Sequence, residues 1–176
     1  MAGSGPGDLH TQALDLLAYS SLALDAIPIS DPGLLGAPLR AFVSPGEPAL
    51  DCCDDGQLTV HVSTITEAAT KVGLNAGIKH RAGKMHINLV TFVVTIARCF
   101  NWPEGGVPKE TTLEALSEQS DADAWALWNG LWNSTISGDL FSLCGQVYFD
   151  GMRAITQSGG CVGWTLTIRA EVEGYV

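Results

Sequence analysis

Five cysteines, four histidines and one short run of acids are the residues of this chain best equipped for chemistry. Asp51, Asp54 and Asp55 bracket the adjacent pair Cys52 and Cys53. A calcium loop needs oxygen ligands at alternate positions closed by a glutamate, and this run has neither feature. The simpler reading is a polar turn feeding a strand, with two thiols tucked beneath it. A thiolate and imidazole metal site would require His61, His80 or His86 to converge on Cys52 or Cys53 over long range. The set of Cys52, Cys53, Cys99, Cys144 and Cys161 is odd in number and lacks C-x-x-C spacing, which argues against a disulfide framework and a zinc knuckle. Reduced, mostly buried thiols behaving as small hydrophobes are expected instead. No histidine is placed by pattern to activate one of them. The G-x-S-x-G elbow, the G-x-x-x-x-G-K-[ST] phosphate loop and a G-x-G-x-x-G turn after a strand are all missing. The expectation is no catalytic residue, no metal and no cofactor. The enzymatic or ligand-binding alternative would assemble its site from Asp51, Asp54, His61 and His86 without a local motif.

Charge narrows the partners. Nine Lys and Arg against nineteen Asp and Glu leave a formal charge of -10, which repels phosphates and disfavours a nucleic-acid grip. Apolar runs such as Leu89 to Ala97 fall short of the roughly 20 residues that cross a bilayer, and residues 1–8 lack the basic head and apolar stretch of a signal peptide. A cytoplasmic chain without membrane contact is expected. Asn133-Ser134-Thr135 matches a glycosylation acceptor, but the simpler reading is the frayed end of a helix. At 176 residues, one domain with its own core is the default, spanning 1–176.

The elements follow from periodicity. Leu9 to Ile27 carries Leu9, Ala13, Leu16, Leu17, Ala23 and Leu24 at helical spacing, with Asp8 to cap it and Pro28 to stop it. The flexible start covers 1–8. Residues 28–56 hold five prolines and read as an extended arm or loop that cannot supply an inner strand. Gln57 to Thr66 alternates as a strand, with Leu58, Val60 and Val62 on one face and Thr59, His61 and Ser63 on the other. A Gly-rich, basic loop over 67–84 follows. Met85 to Phe100 is β-branched and aromatic and reads as a long central strand. Thr111 to Trp132 is a helix capped by Thr111 or Thr112, with Trp125, Trp128 and Trp132 at i, i+3 and i+7. Gln146 to Ile155 is a further strand, and Gly163 to Tyr175 alternates most cleanly, with Trp164, Leu166, Ile168, Ala170 and Val172 inward.

The expected fold is α+β: a mainly antiparallel sheet of about four strands, two main helices on one face, and a long Pro/Gly-rich arm. Two hairpins pair Gln57–Thr66 with Met85–Phe100 and Gln146–Ile155 with Gly163–Tyr175. Trp125, Trp128, Trp132 and Trp164 are expected to pack the core, although aromatic residues also anchor interfaces.

The element order, the acidic balance and the closing run Gly159-Gly160-Cys161-Val162-Gly163-Trp164-Thr165-Leu166-Thr167-Ile168 resemble the tail-terminator proteins of long-tailed bacteriophages, particularly those of actinobacterial hosts. Leu50-Asp51-Cys52-Cys53-Asp54 and Asp123-Ala124-Trp125-Ala126-Leu127-Trp128 add to the resemblance, which covers Leu9 to Tyr175. It implies a ring of this chain, usually six copies, at the tail–neck junction of the virion. Such a ring caps the tail tube, stops polymerisation of the major tail-tube protein and meets the head–neck connector or stopper, with DNA only as passing cargo. On that basis Arg169, Glu171 and Glu173 are candidates for subunit or lumen contacts, and Lys79, His80, Arg81 and Lys84 for tube contacts. A head-to-tail connector is the nearest alternative.

Overall fold

A computed structural model describes residues 9–27, 34–50, 56–67, 86–99, 109–142, 144–155 and 160–174. The chain runs α1 (Leu9–Asp25), β1 (Arg40–Ser44), β2 (Gln57–Glu67), β3 (His86–Cys99), α2 (Glu110–Ile136), β4 (Val147–Ala154) and β5 (Cys161–Gly174). One five-stranded sheet has the order β1-β2-β3-β5-β4. The β2–β3, β3–β5 and β5–β4 pairs are antiparallel, which includes both expected hairpin pairings. Period-2 alternation makes the core face: Leu58 and Val60 from β2, Val90, Phe92, Val94 and Ile96 from β3, and Leu166, Ile168, Ala170 and Val172 from β5 are all buried. Leu16 and Leu24 of α1 and Leu127 and Leu131 of α2 close over that face. Helix α1 lies along the β1–β2 side and α2 along the β5–β4 side, and the two also touch each other. Their approach depends on Gly130, because a Cβ there would sit 2.4 Å from Ala23 Cβ. Among the described residues no helix is long and apolar enough to cross a membrane.

The sheet has one strand more than expected and is mixed, because β1 pairs in parallel with β2, Arg40 opposite Gln57 through Ser44 opposite His61. This strand lies inside the segment expected to be arm. It is only five residues long and sits at the sheet edge, the position that a proline-rich flank tolerates. Helix α2 also begins earlier than expected. Its N-cap is Lys109, which makes no side-chain capping bond, so neither Thr111 nor Thr112 caps it. Bulges occur in β2 between Val62 and Thr64 and in β4 between Phe149 and Gly151. Past the first bulge β2 leaves the core, and Ser63 through Glu67 are exposed.

One polar cluster is buried within this apolar layer. The Arg98 guanidinium donates from Nε to Asp123 Oδ2 at 2.8 Å and from a terminal nitrogen to Asp123 Oδ1 at 2.7 Å. The same terminal nitrogen reaches the Gly36 carbonyl at 2.7 Å. Gln119 donates to Asp123 Oδ1 at 2.8 Å and to the Leu35 carbonyl at 3.1 Å, and accepts from Leu35 N–H at 2.6 Å. Arg98, Asp123 and Gln119 are all buried. The network therefore joins the end of β3, the middle of α2 and the segment leading to β1. Removing one partner of a buried pair leaves the other charge without compensation, which typically destabilises by about 3–5 kcal/mol. Asp123→Ala is expected to lose about that much in urea denaturation, while the apolar pair Arg98→Met with Asp123→Leu should recover most of it. A loss below about 1 kcal/mol in the single variant would contradict this role.

Candidate assembly surface

Four of the residues expected to make external contacts, Lys79, His80, Arg81 and Lys84, lie outside the described residues. So do Asp51, Cys52, Cys53, Asp54 and Asp55. The strands that flank the basic segment are described, and pair Glu67 with Asn88. On β5, Arg169 is held by an ion pair with Asp150 of β4: Nε lies 2.5 Å from Oδ2, and a terminal nitrogen donates to Oδ1 at 2.6 Å. Its guanidinium also stacks over the Tyr148 ring, 5.7 Å from the centroid. Glu171 turns to the same edge, accepting from Gln146 N–H at 3.3 Å and pressing on Gly145, where a Cβ would meet its carboxylate at 2.9 Å. Both charges thus tie the bulged edge strand to its neighbour. Glu173 pairs with Ile87 in the β3–β5 register.

The tryptophans of α2 correct the sequence expectation. The buried stripe of this helix is Gln119, Asp123, Leu127 and Leu131, at strict i+4 spacing. Trp128 is only partly buried against the core, and Trp164 is tied to α2 by its indole N–H, which donates to the Ser120 carbonyl at 2.9 Å and to its hydroxyl at 2.8 Å. Trp125, however, is 71% exposed and Trp132 44% exposed, so neither is a core residue. The i+4 stripe took the helix face that the Trp spacing suggested, because Asp123 and Gln119 are satisfied by Arg98 and the 35–36 backbone.

Displaced from the core, these rings build a surface. Trp128 and Trp132 each meet the Phe149 ring of β4 edge-on, with centroids 5.6 and 5.2 Å apart. Ile136, 68% exposed, extends the ribbon. A hollow of about 410 Å³ opens at one end between Trp125, Trp128, Met152 and Trp164, with Asp121 at its rim. A second of about 360 Å³ opens at the other, lined in part by Trp132, Ile136, Phe141, Val147 and Phe149. Edge-to-face stacking and exposed tryptophan along a helix–strand seam have the composition of protein interfaces.

Aliphatic side chains are exposed on α1 and just ahead of β1. Leu14 and Leu22 of α1 are exposed, and Leu39, just before β1, is 91% exposed. Arg40 lies beside it over the Phe42 ring, 5.5 Å from the centroid. A hollow of about 310 Å³ here is lined by Leu9, Ala13, Val43, Pro45 and Val62 among others.

The sheet face away from the helices is not the open polar surface that its alternation suggests. Gln57, Thr59 and His61 are buried on it, and residues 47–50 pass over them, with Gln57 Nε2 donating to the Ala49 carbonyl at 3.1 Å. A cavity of about 310 Å³ remains there between Glu47, Leu50, His61, Thr95, Ile155 and Thr165. Among the described residues Thr59 Oγ1 and His61 Nδ1 have no hydrogen-bond partner. One cysteine departs from expectation: Cys161 is disulfide-bonded, whereas Cys99 and Cys144 form no disulfide. A disulfide needs no C-x-x-C spacing, because it depends on proximity in the fold and not along the chain. Burial pushes the Cys144 thiol up to about 11, so it is not a thiolate nucleophile at neutral pH. Among the described residues no three His, Cys, Asp or Glu side chains converge as a metal site.

No model of a known protein family matches the chain, and no curated protein matches it.

Burial lowers the His61 pKa below its ordinary value, with Glu47 pulling weakly the other way. The folded state then binds this proton less readily than the unfolded chain, so the His61 contribution is present above about pH 6.5 and is lost as pH falls below it. Thermal melts between pH 7.5 and 5 should show a smaller decline in Tm for His61→Gln than for the parent chain. Parallel declines would place His61 in water.

Proposed function

We propose that this chain is the tail-terminator subunit of a long-tailed phage: copies close into a ring, six by the family's habit, that caps the tail tube and ends its growth. The other face of the ring meets the head–neck connector or stopper protein. Its work is binding, with no catalytic step, metal or cofactor, and DNA passes through without being held. The aromatic ribbon between α2 and β4 is the observation that carries the assembly reading. Trp125, Trp132 and Ile136 are exposed along this seam. Exposed apolar patches of this kind mark contact surfaces, and tryptophan is the side chain most enriched at binding hot spots.

The resemblance of the chain to tail terminators supplies the identity of the assembly, and the charge of -10 fits a channel that repels phosphate. The basic segment that joins β2 to β3 is our candidate for the tube contact, through Lys79, His80, Arg81 and Lys84. Arg169, Glu171 and Glu173 stay our candidates for subunit or lumen contacts, on the strand that also anchors the β4 edge.

Light scattering on the purified chain, alone and with the major tail-tube protein, tests this directly. The expected result is a ring of several copies, and tubes that stop at a fixed length when it is present. A monomer that leaves tube growth unchanged would overturn the proposal. Binding to the portal side of the neck without any effect on tube length would assign the chain to the connectors.

A further inference from the structure

We infer that the hollow between Trp125, Trp128 and Trp164 receives an arginine side chain from a basic segment of a partner protein. The inference rests on the α2–β4 seam being a contact surface, and it holds whether or not the chain is a tail terminator. Three indoles, Met152 and Ala124 wall a hollow of about 410 Å³, and Asp121 is the one charged residue among those that line it. Two of the rings are fixed. Trp164 turns its N–H into α2, 2.9 Å from the Ser120 carbonyl, and Trp128 is braced edge-on by Phe149. Trp125, 71% exposed, presents ring surface to a ligand. The exposed Asp121 carboxylate has no hydrogen bond or ion pair among the described residues. An aromatic face is the negative side of the ring quadrupole and attracts a cation within about 6 Å of its centroid. Indoles beside a carboxylate therefore select a positively charged guest. Guanidinium fits best, because it is planar, weakly hydrated and stacks on aromatic faces, whereas an ammonium holds its water more tightly. Its alkyl stem lies against Met152 and Ala124.

Charge along α2 identifies the source of that cation. The helix, Glu110–Ile136, contains no Lys, Arg or His. Glu110, Glu114 and Glu118 are exposed and lead to Asp121 and Trp125 in steps of three or four residues, so the acids and the hollow share one line of the helix. The same line continues through Trp132 to Ile136, both exposed. This surface is complementary to a protein segment that mixes arginine with apolar residues: one guanidinium enters the hollow, further cations face Glu118 and Glu114, and apolar side chains cover Trp132. A free small cation would fill the hollow and leave the ribbon beyond it in water. Nucleic acid is repelled by the same acids.

Titration of the whole chain with a short peptide of alternating arginine and leucine, acetylated and amidated, tests the site in about 0.15 M salt, where long-range attraction is screened. The readout is the set of indole N–H signals in a nitrogen-correlated NMR spectrum. The Trp125, Trp128 and Trp164 signals shift together, and the same peptide with citrulline for arginine, which keeps the shape and loses the charge, binds roughly tenfold more weakly. Trp125→Leu, which stays apolar but removes the π face, and Asp121→Asn each weaken binding roughly fivefold. Glu110→Gln with Glu114→Gln removes two charges, leaves the hollow intact and weakens binding less than either. No shift, equal binding of the citrulline peptide, or parent-like binding by Trp125→Leu overturns the inference. So does a larger loss from the glutamate pair than from Trp125→Leu, the mark of general charge attraction. Choline that saturates the same signals below the peptide's concentration reassigns the hollow to a free cation and overturns the protein partner. Circular dichroism melts matching the parent certify each variant as folded; if Trp125→Leu lowers the melt, Trp125→Gln replaces it and is read the same way. Light scattering decides the ring independently, so either result can fail while the other stands.

Discussion

The Arg98–Asp123 ion pair is the constraint from which the rest of the architecture follows. It lies at the end of β3, the central strand, and fixes α2 over the β5 side of the sheet. Through the carbonyls of Leu35 and Gly36 and through Gln119 it also fixes the segment that enters β1. Asp25, the last residue of α1, holds the same segment from the other side by accepting the Ala37 N–H at 2.9 Å. A Cβ on Gly36 would lie 2.7 Å from that carboxylate, so the chain passes closely between the two helices. Burying two charges is expensive, and a pair of this kind adds little net stability over an apolar substitute. What it supplies here is position: five directed hydrogen bonds choose one docking of α2 and one path to β1, where leucines would accept several.

The same pair explains which parts of the fold could be read in the sequence. Gly163 to Tyr175 alternates without interruption and is β5; Gln57 to Thr66 and Met85 to Phe100 are β2 and β3 within a residue or two. Each of these strands declares its burial by composition. Helix α2 does not, because its buried stripe contains Gln119 and Asp123, two residues that read as solvent-facing until Arg98 is known to lie opposite. Once that stripe is misread, the tryptophans take its place on paper, and Trp125 and Trp132 are assigned to a core they do not enter. The same misreading hid the candidate site, since its chief signal is large aromatic residues left outside. Strand β1 was hidden for a different reason. Five residues in a proline-rich stretch carry too little pattern, and a parallel strand is defined by a partner reached through a connection, not by a local turn.

The far face of the sheet shows how a short covering segment changes the meaning of a strand. Thr59 and His61 sit on the polar side of a clean alternation, where water is the default environment. Residues 47–50 cover that face, and among the described residues Thr59 Oγ1 and His61 Nδ1 are left unpaired and the imidazole is easier to keep neutral. Such a covering must be held in place. The Gln57 amide, bonded to the Ala49 carbonyl, is one visible tether. The amide of Gln57 is itself fully buried, so this covering segment and the strand beneath it stand or fall together.

The two edges of the sheet bear on how copies of this chain could meet. Open edges invite strand addition, which has no natural end. Here β1 is five residues long, and β4 is broken by a bulge at which Asp150 turns out to pair with Arg169. A short edge and a bulged one are poor templates for each other, so backbone pairing between copies is disfavoured at both ends of the sheet. Any contact between copies is thereby left to side chains, such as those exposed on the α2–β4 seam. Repulsion reinforces the limit. Every added copy brings ten further negative charges, and the acidic surfaces outside that seam oppose any packing that brings them close. The combination favours a contact that is local and apolar over one that stacks without end.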